Sequence, residues 1–245
     1  RIGFINKMDR TGTDFNEVID QMNKYLDANA IPFQVPMGAE EDFLGTIDII
    51  ERKAYTFHEY ERGEIKIPSE YLEQVETVRN ELIEKLADYN DEIAELYLDD
   101  QEIPVEMLKS AARDATLKLL ITPVFCGAAY KNKGIQLLLD AVVDYMPSPL
   151  DVGAVVGIDI DDEEKSHKRS PGLHEPFSAL AFKLINDPYV GQQTFIRIFS
   201  GQLKSGMQIY NATKGKNERI GRIFRIHAKD REEISSAGPG DIVAL

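Results

Sequence analysis

The chain has 245 residues, 43% of them apolar and 29% charged, with a net charge of −14. That is enough for one large domain or two ordinary ones with real cores, and the acidic balance excludes a general nucleic-acid or DNA binder. No apolar run approaches the roughly 18–20 residues that span a bilayer, and nothing at the start reads as a signal peptide, so no membrane partner is expected.

The first residues, Arg1-Ile2-Gly3-Phe4-Ile5, read as a strand already under way, and residue 1 is expected to be a cut. Residues 1–9 form this strand and a loop. Asp14 with Glu17 three positions on predicts a capping box. Phe15, Val18, Ile19, Met22, Tyr25 and Leu26 then recur at helical spacing. Ile31 to Met37 carries Pro32 and Pro36 and reads as a broken or edge strand. Leu44 to Phe57 suggests further strands. Ser69 is the expected N-cap of one long helix with Leu72, Val75, Leu82, Leu86, Ile93 and Leu96 on its apolar face. Pro104 opens another helix. Ile121 to Cys126 is a buried strand, and Cys126, the one cysteine, reads as a small buried hydrophobe suited to a reducing cytoplasm. His58, His167, His174 and His227 lie too far apart in sequence to suggest a metal site, so none is expected.

Gly127-Ala128-Ala129 turns out of that strand, and a helix from Ile135 to Tyr145 ends at Met146-Pro147-Ser148-Pro149, the clearest domain boundary. Asp159 to Gly172 is polar and reads as a mobile loop. After Phe177, short β-rich runs alternate with turn residues, which suggests a small barrel. The last run stops at Leu245, where a second cut is expected; both cuts should leave sheet edges that recruit another chain.

Charge is unevenly placed: Glu59 to Glu106 carries −12, and Gly201 to Arg231 carries +6, with Arg219, Arg222 and Arg225 at three-residue spacing. The acidic stretch would repel RNA phosphates, whereas the basic one keeps a local RNA contact open.

Asn6-Lys7-Met8-Asp9 carries the chemistry. It follows an apolar strand and precedes a capped helix, which puts it at the carboxyl end of a sheet strand, where α/β folds bind ligands. Guanine presents N1–H and the N2 amino group on one edge, and the Asp9 carboxylate can accept from both. Adenine has no matching donors, and a site built on such bonds rejects the wrong base by roughly 10⁴–10⁵ in favourable cases. Asn6 can pair on the N7 side, and Lys7 can lay its stem on the purine face. Small residues at Ala128 and Ala129 let a backbone N–H approach the base oxygen.

Ile5-Asn6-Lys7-Met8-Asp9-Arg10 resembles the NKxD element of translational GTPases. Met37-Gly38-Ala39-Glu40-Glu41 with Gly45-Thr46-Ile47-Asp48 resembles the start of the insert in the GTPase domain of the elongation factor G family. Cys126 through Gly134 resembles that family's last guanine loop, and Asp187-Pro188-Tyr189-Val190-Gly191, Thr213-Lys214-Gly215 and His227 through Glu233 resemble its second domain. The resemblance covers essentially the whole chain. It implies an α/β remnant of a P-loop-type GTPase domain over residues 1–150 with an α+β insert at about 34–120, a linker at 151–176, and a truncated all-β translation-factor barrel at 177–245.

The resemblance further implies GTP/GDP as cofactor, held through Asn6, Lys7, Asp9, Ala128 and Ala129. It implies a parent enzyme that hydrolyses GTP on the ribosome to promote translocation in the cytoplasm, ribosomal RNA as partner of the second domain, and ribosomal stalk proteins as partners of the acidic insert. Many members carry Ser where Ala128 stands. A sibling ribosome-protection or release-stage factor is the alternative. No GxxxxGK[ST] phosphate loop occurs in the 245 residues, so no catalytic residue is assigned and the Mg²⁺ ligands are expected outside them.

Overall fold

A short parallel sheet organises the first of two units, Arg1–Met146; the second is Pro147–Leu245. The computed structural model describes all residues except 59–60, 160–161, 163, 188–190 and 229, and the backbone alone of Asp187. The middle of the Asp187–Gly191 motif and one position of the His227–Glu233 motif therefore lie outside the described residues.

In the first unit, strand β1 (Gly3–Ile5) leads through the Asn6–Asp9 loop to helix α1 (Phe15–Leu26) and strand β2 (Ala30–Pro32). Asp14 caps α1 by accepting from the Glu17 N–H at 3.0 Å. The Glu17 side chain accepts from Gln21 Nε2 instead of closing a box. Tyr25 and Leu26, expected on the apolar face, are exposed in the last turn. Proline breaks the next segment as expected. Its halves join different sheets: β2 at the edge of the parallel one, and β3 (Gln34–Met37) at the edge of an antiparallel sheet.

That second sheet runs β3-β4-β5-β6, with β4 (Gly45–Asp48), β5 (Lys53–His58) and β6 (Glu61–Ile65). The turn after β4 is built by Asp48, whose Oδ1 accepts from the N–H groups of Ile50 and Glu51 at 2.9 and 2.8 Å. Burial pushes this carboxyl up to about 6. Ser69 is not an N-cap: it lies in a 3₁₀ turn, and helix α2 (Leu72–Ala87) starts at Tyr71 without a side-chain cap. The single long helix is also two. Asn90 caps helix α3 (Asp91–Leu98) by accepting from the Ile93 N–H at 3.0 Å, which breaks the run after α2. Arg79 on α2 is buried, and Nη1 donates to the carbonyls of Ile49 and Ile50 at 2.8 and 2.7 Å. Helix α4 (Val105–Leu117) follows Pro104.

The chain then returns to the parallel sheet as β7 (Thr122–Cys126), the middle strand in the order β1-β7-β2. Alternate residues of a strand face opposite sides, and β7 serves two cores. Val124 and Cys126 meet Ile5, Met8, Phe15 and Ile19 beneath α1. Phe125 meets Phe33 and Tyr145 in the larger core shared with α2, α4 and helix α5 (Ile135–Tyr145). The rings of Phe33 and Tyr145 stand edge to face at 5.2 Å. Cys126 is fully buried, and burial pushes its thiol up.

The second unit opens with the short helix α6 (Pro149–Val152), capped by Ser148. Strands β8 (Val155–Ile158) and β9 (Ser166–Arg169) form a hairpin, so the polar stretch after Asp159 is partly strand, and His167 Nε2 lies 2.6 Å from Asp159 Oδ2. A five-stranded sheet follows in the order β10 (Ser178–Asp187), β11 (Gly191–Ser200), β18 (Ile242–Ala244), β15 (Ile223–His227), β16 (Asp230–Ile234). Ladders β12–β17 (Leu203–Lys204, Ser236–Ala237) and β13–β14 (Gln208–Asn211, Lys216–Arg219) complete it. Ile196, Ile198, Leu203, Ile220, Ile223 and Val243 share one core. Strand β18 is paired on both sides, and Leu245 and Thr194 exchange backbone hydrogen bonds at 2.9 and 3.0 Å. The open edge expected at Leu245 is therefore absent, because β18 runs between β11 and β15. Among the described residues no helix is long and apolar enough to cross a membrane.

Candidate guanine-base site

The loops after β1 and β7 leave adjacent parallel strands at their carboxyl ends, in register Ile5 against Cys126. They are tied backbone to backbone: the Gly127 N–H donates to Ile5 O at 3.0 Å, and the Met8 N–H donates to Gly127 O at 3.0 Å. Met8, the variable letter of the motif, is buried under α1 and anchors the first loop. Asn6 joins the loops at the rim: its Oδ1 accepts from the Lys7 N–H at 2.8 Å and the Ala129 N–H at 3.0 Å. With that oxygen engaged, Asn6 Nδ2 is the group left to donate to an acceptor such as purine N7.

Lys7 is exposed and has φ of 66°, a left-handed backbone uncommon outside glycine and frequent at functional sites. Its carbonyl accepts from the Arg10 N–H and from Thr13 Oγ1, both at 3.0 Å. Asp9 is only 11% exposed at its side chain, and Oδ2 lies 2.8 Å from Lys131 Nζ. The Lys131 hydrogen bond holds the Asp9 carboxyl below the usual carboxylate range. At neutral pH it is ionised, the state that accepts two N–H groups.

Ala128 stands behind the rim and not on it. It is buried at 1% exposure, and its N–H donates to Lys133 O at 2.9 Å, so its part is to brace the loop. Ala129 is exposed beside Asn6. Gly127 is dictated by space: a Cβ there would fall 2.2 Å from Lys133 O and 2.8 Å from Phe4 Cζ. Sequence reasoning missed Lys131, Lys133 and Glu40, which contact this site from positions with no recognisable spacing to Asp9. The runs Lys131-Asn132-Lys133-Gly134 and Met37-Gly38-Ala39-Glu40-Glu41 were the signals available.

Two neighbouring loops at the carboxyl ends of parallel strands, bridged by an asparagine and presenting an ionised carboxylate, lie where α/β folds bind ligands. Residues 1–148 match the family profile described as elongation factor Tu GTP binding domain, and residues 176–245 match the one described as elongation factor G domain 2. The chain belongs to this translational GTPase family, with a mixed α/β GTPase-domain region followed by a β-rich domain. It is also similar to a crystal structure from Thermus thermophilus, with a TM-score of 0.78 and 24% identity, over 100% of this chain and 34% of that one. The chain thus spans about a third of the length of the solved protein it matches, and the likeness speaks to fold.

Proposed function

We propose that this chain is the base-reading part of a translational GTPase of the elongation factor G type, one that uses GTP hydrolysis on the ribosome to promote translocation in the cytoplasm. The observation that carries the reading is the Asn6 bridge to the Ala129 N–H at 3.0 Å, with Asp9 ionised beside it. Asp9 accepts from N1–H and the N2 amino group, Asn6 Nδ2 donates to N7, Lys7 covers a purine face, and Ala129 borders the base oxygen with Ala128 bracing it. GTP supplies the phosphoanhydride that is cleaved. Holding its phosphates and Mg²⁺ falls to residues outside these 245, which contain no GxxxxGK[ST] loop.

The 245-residue chain is therefore expected to bind GDP weakly and to hydrolyse no GTP. A few base contacts at about 0.5–1.5 kcal/mol each do not reach the roughly 8 kcal/mol of micromolar binding. Isothermal titration with GDP tests this, and sub-micromolar affinity would overturn it.

The proposed partners follow charge. The exposed acidic faces of α2 and α3 suit stalk proteins. The basic stretch around Arg219 to Arg225 suits ribosomal RNA. In it Arg222 and Arg225 stand 3.9 and 3.5 Å from Glu233 and Glu232, exposed pairs that contribute little and that phosphates can displace. Changing Arg219, Arg222 and Arg225 together to Gln in the longer protein is expected to weaken ribosome binding and flatten its salt dependence. Unchanged co-sedimentation across a salt series would leave the stretch as solvated surface.

A further inference from the structure

The turn that opens the antiparallel sheet, Gly38 to Phe43, reaches back to both base loops. Glu40 makes two contacts: its N–H donates to Met8 O at 2.8 Å, and its Oε1 accepts from the Gly12 N–H at 2.6 Å. These hold the Asn6–Asp9 loop at two points on either side of Asp9. From the other loop, Lys133 Nζ donates to Phe43 O at 2.6 Å and lies over the Phe43 ring at 5.6 Å. Lys133 also holds Ala128 through a reciprocal backbone pair at 2.9 and 3.1 Å. On the far side of the turn, the Gly38 N–H donates to Tyr71 Oη at 3.0 Å, at the start of α2. A continuous set of hydrogen bonds therefore runs from the first turn of α2 through the turn to both loops.

Two features set this turn apart from ordinary packing. Glu40 has φ of 56°, a left-handed conformation that is strained for a non-glycine residue. The surroundings must over-determine it. Lys133 directs a half-buried ammonium at a carbonyl, and burial draws its pKa down. A cation so placed contributes position more than charge neutralisation.

We propose that Glu40 and Lys133 are positioning residues for guanine recognition, through which the Gly38–Phe43 turn makes the order of the two base loops depend on how the α2 end of the insert is held. This rests on the base-site reading above. The turn keeps Met8 and Ala128 in place, and they in turn keep Asp9 and the Ala129 N–H at their spacing.

The test uses Glu40→Ala and Lys133→Met with the conservative pair Glu40→Gln and Lys133→Arg. In the 245-residue chain, amide hydrogen exchange at Met8, Gly12 and Ala129 is expected to quicken about tenfold in the first pair, with the ladder amides of β4 and β5 unchanged. In the longer protein carrying a phosphate loop, GDP release is expected to quicken about tenfold, on the scale of one lost hydrogen bond, and to return toward the parent value with Gln and Arg. Guanine should remain preferred over xanthine, because the Asp9 carboxylate itself is still present. Tyr71→Phe, which removes only the acceptor for Gly38, should quicken release about two- to threefold. Release and exchange within twofold of the parent in Glu40→Ala and Lys133→Met would overturn the proposal, as would quickening that the conservative variants fail to reverse. An Asp9→Asn variant with unchanged base preference would sink the base-site reading instead, so the two failures are distinguishable.

Discussion

Asp9→Asn, in a protein that joins this chain to a phosphate loop, is expected to turn preference from guanine to xanthine nucleotides, with a change in relative affinity of about 10³-fold or more on the scale of sites that read a ligand by hydrogen bonds. Guanine offers two donors, N1–H and the N2 amino group, to two carboxylate oxygens. Xanthine keeps N1–H and replaces the amino group with a carbonyl, which matches the Asn pair of one acceptor and one donor. The variant leaves guanine's amino group facing an N–H₂ group, a buried donor without an acceptor, and that loss is larger than the loss of one ordinary bond. The geometry favours a clean result. The loop takes its shape from the bonds of Asn6, Met8 and Thr13, which the substitution leaves in place. Lys131, 2.8 Å away, loses a charged partner but is half exposed and returns to water. Competition between GTP and XTP measures the change, and an unaltered ratio would mean that Asp9 does not read the base.

Gly127→Ala is expected to destabilise the first unit by about 2–3 kcal/mol, the upper range for overpacking, and to abolish base recognition with it. The added Cβ would lie 2.2 Å from Lys133 O and 2.8 Å from Phe4 Cζ. The first is a backbone atom and cannot rotate aside. Relief requires moving Lys133, which breaks its pair with Ala128, or moving Gly127, which breaks the bonds to Ile5 and Met8. Either movement separates the two loops. Gly221→Ala is the control: among the described residues nothing lies within 4 Å of its added Cβ, and a change within about 0.5 kcal/mol is expected at such a site. Thermal or urea unfolding of both variants decides the matter. A Gly127→Ala protein as stable as the control would show that the loop junction relaxes freely.

Local information was sufficient where a side chain acts within its own segment. The Asn6–Asp9 motif, the Asp14 cap on Glu17, the start of α4 after Pro104 and the buried strand ending at Cys126 were all legible, because each depends on neighbours a few residues away. The proline-broken run at 31–37 was legible as a break, but not as a change of sheet. That choice depends on β2 finding β7, far along the chain, and on β3 finding β4. Helix α2 shows the limit most clearly. The apolar spacing runs on from Leu72 to Leu96 as though one helix carried it, yet Asn90 takes the Ile93 N–H and starts a second one. No local pattern marks Arg79 as buried; only the fold brings the carbonyls of Ile49 and Ile50 to it. The candidate site divides in the same way. Its proposed base-reading side chains, Asn6, Lys7 and Asp9, lie on one loop and can be read from residue type and order. What holds Asp9 ionised, joins Ala129 to Asn6 and ties the turn at Glu40 to both loops are contacts spanning 28 to 123 residues. They form only when the strands pack, and no periodicity records them.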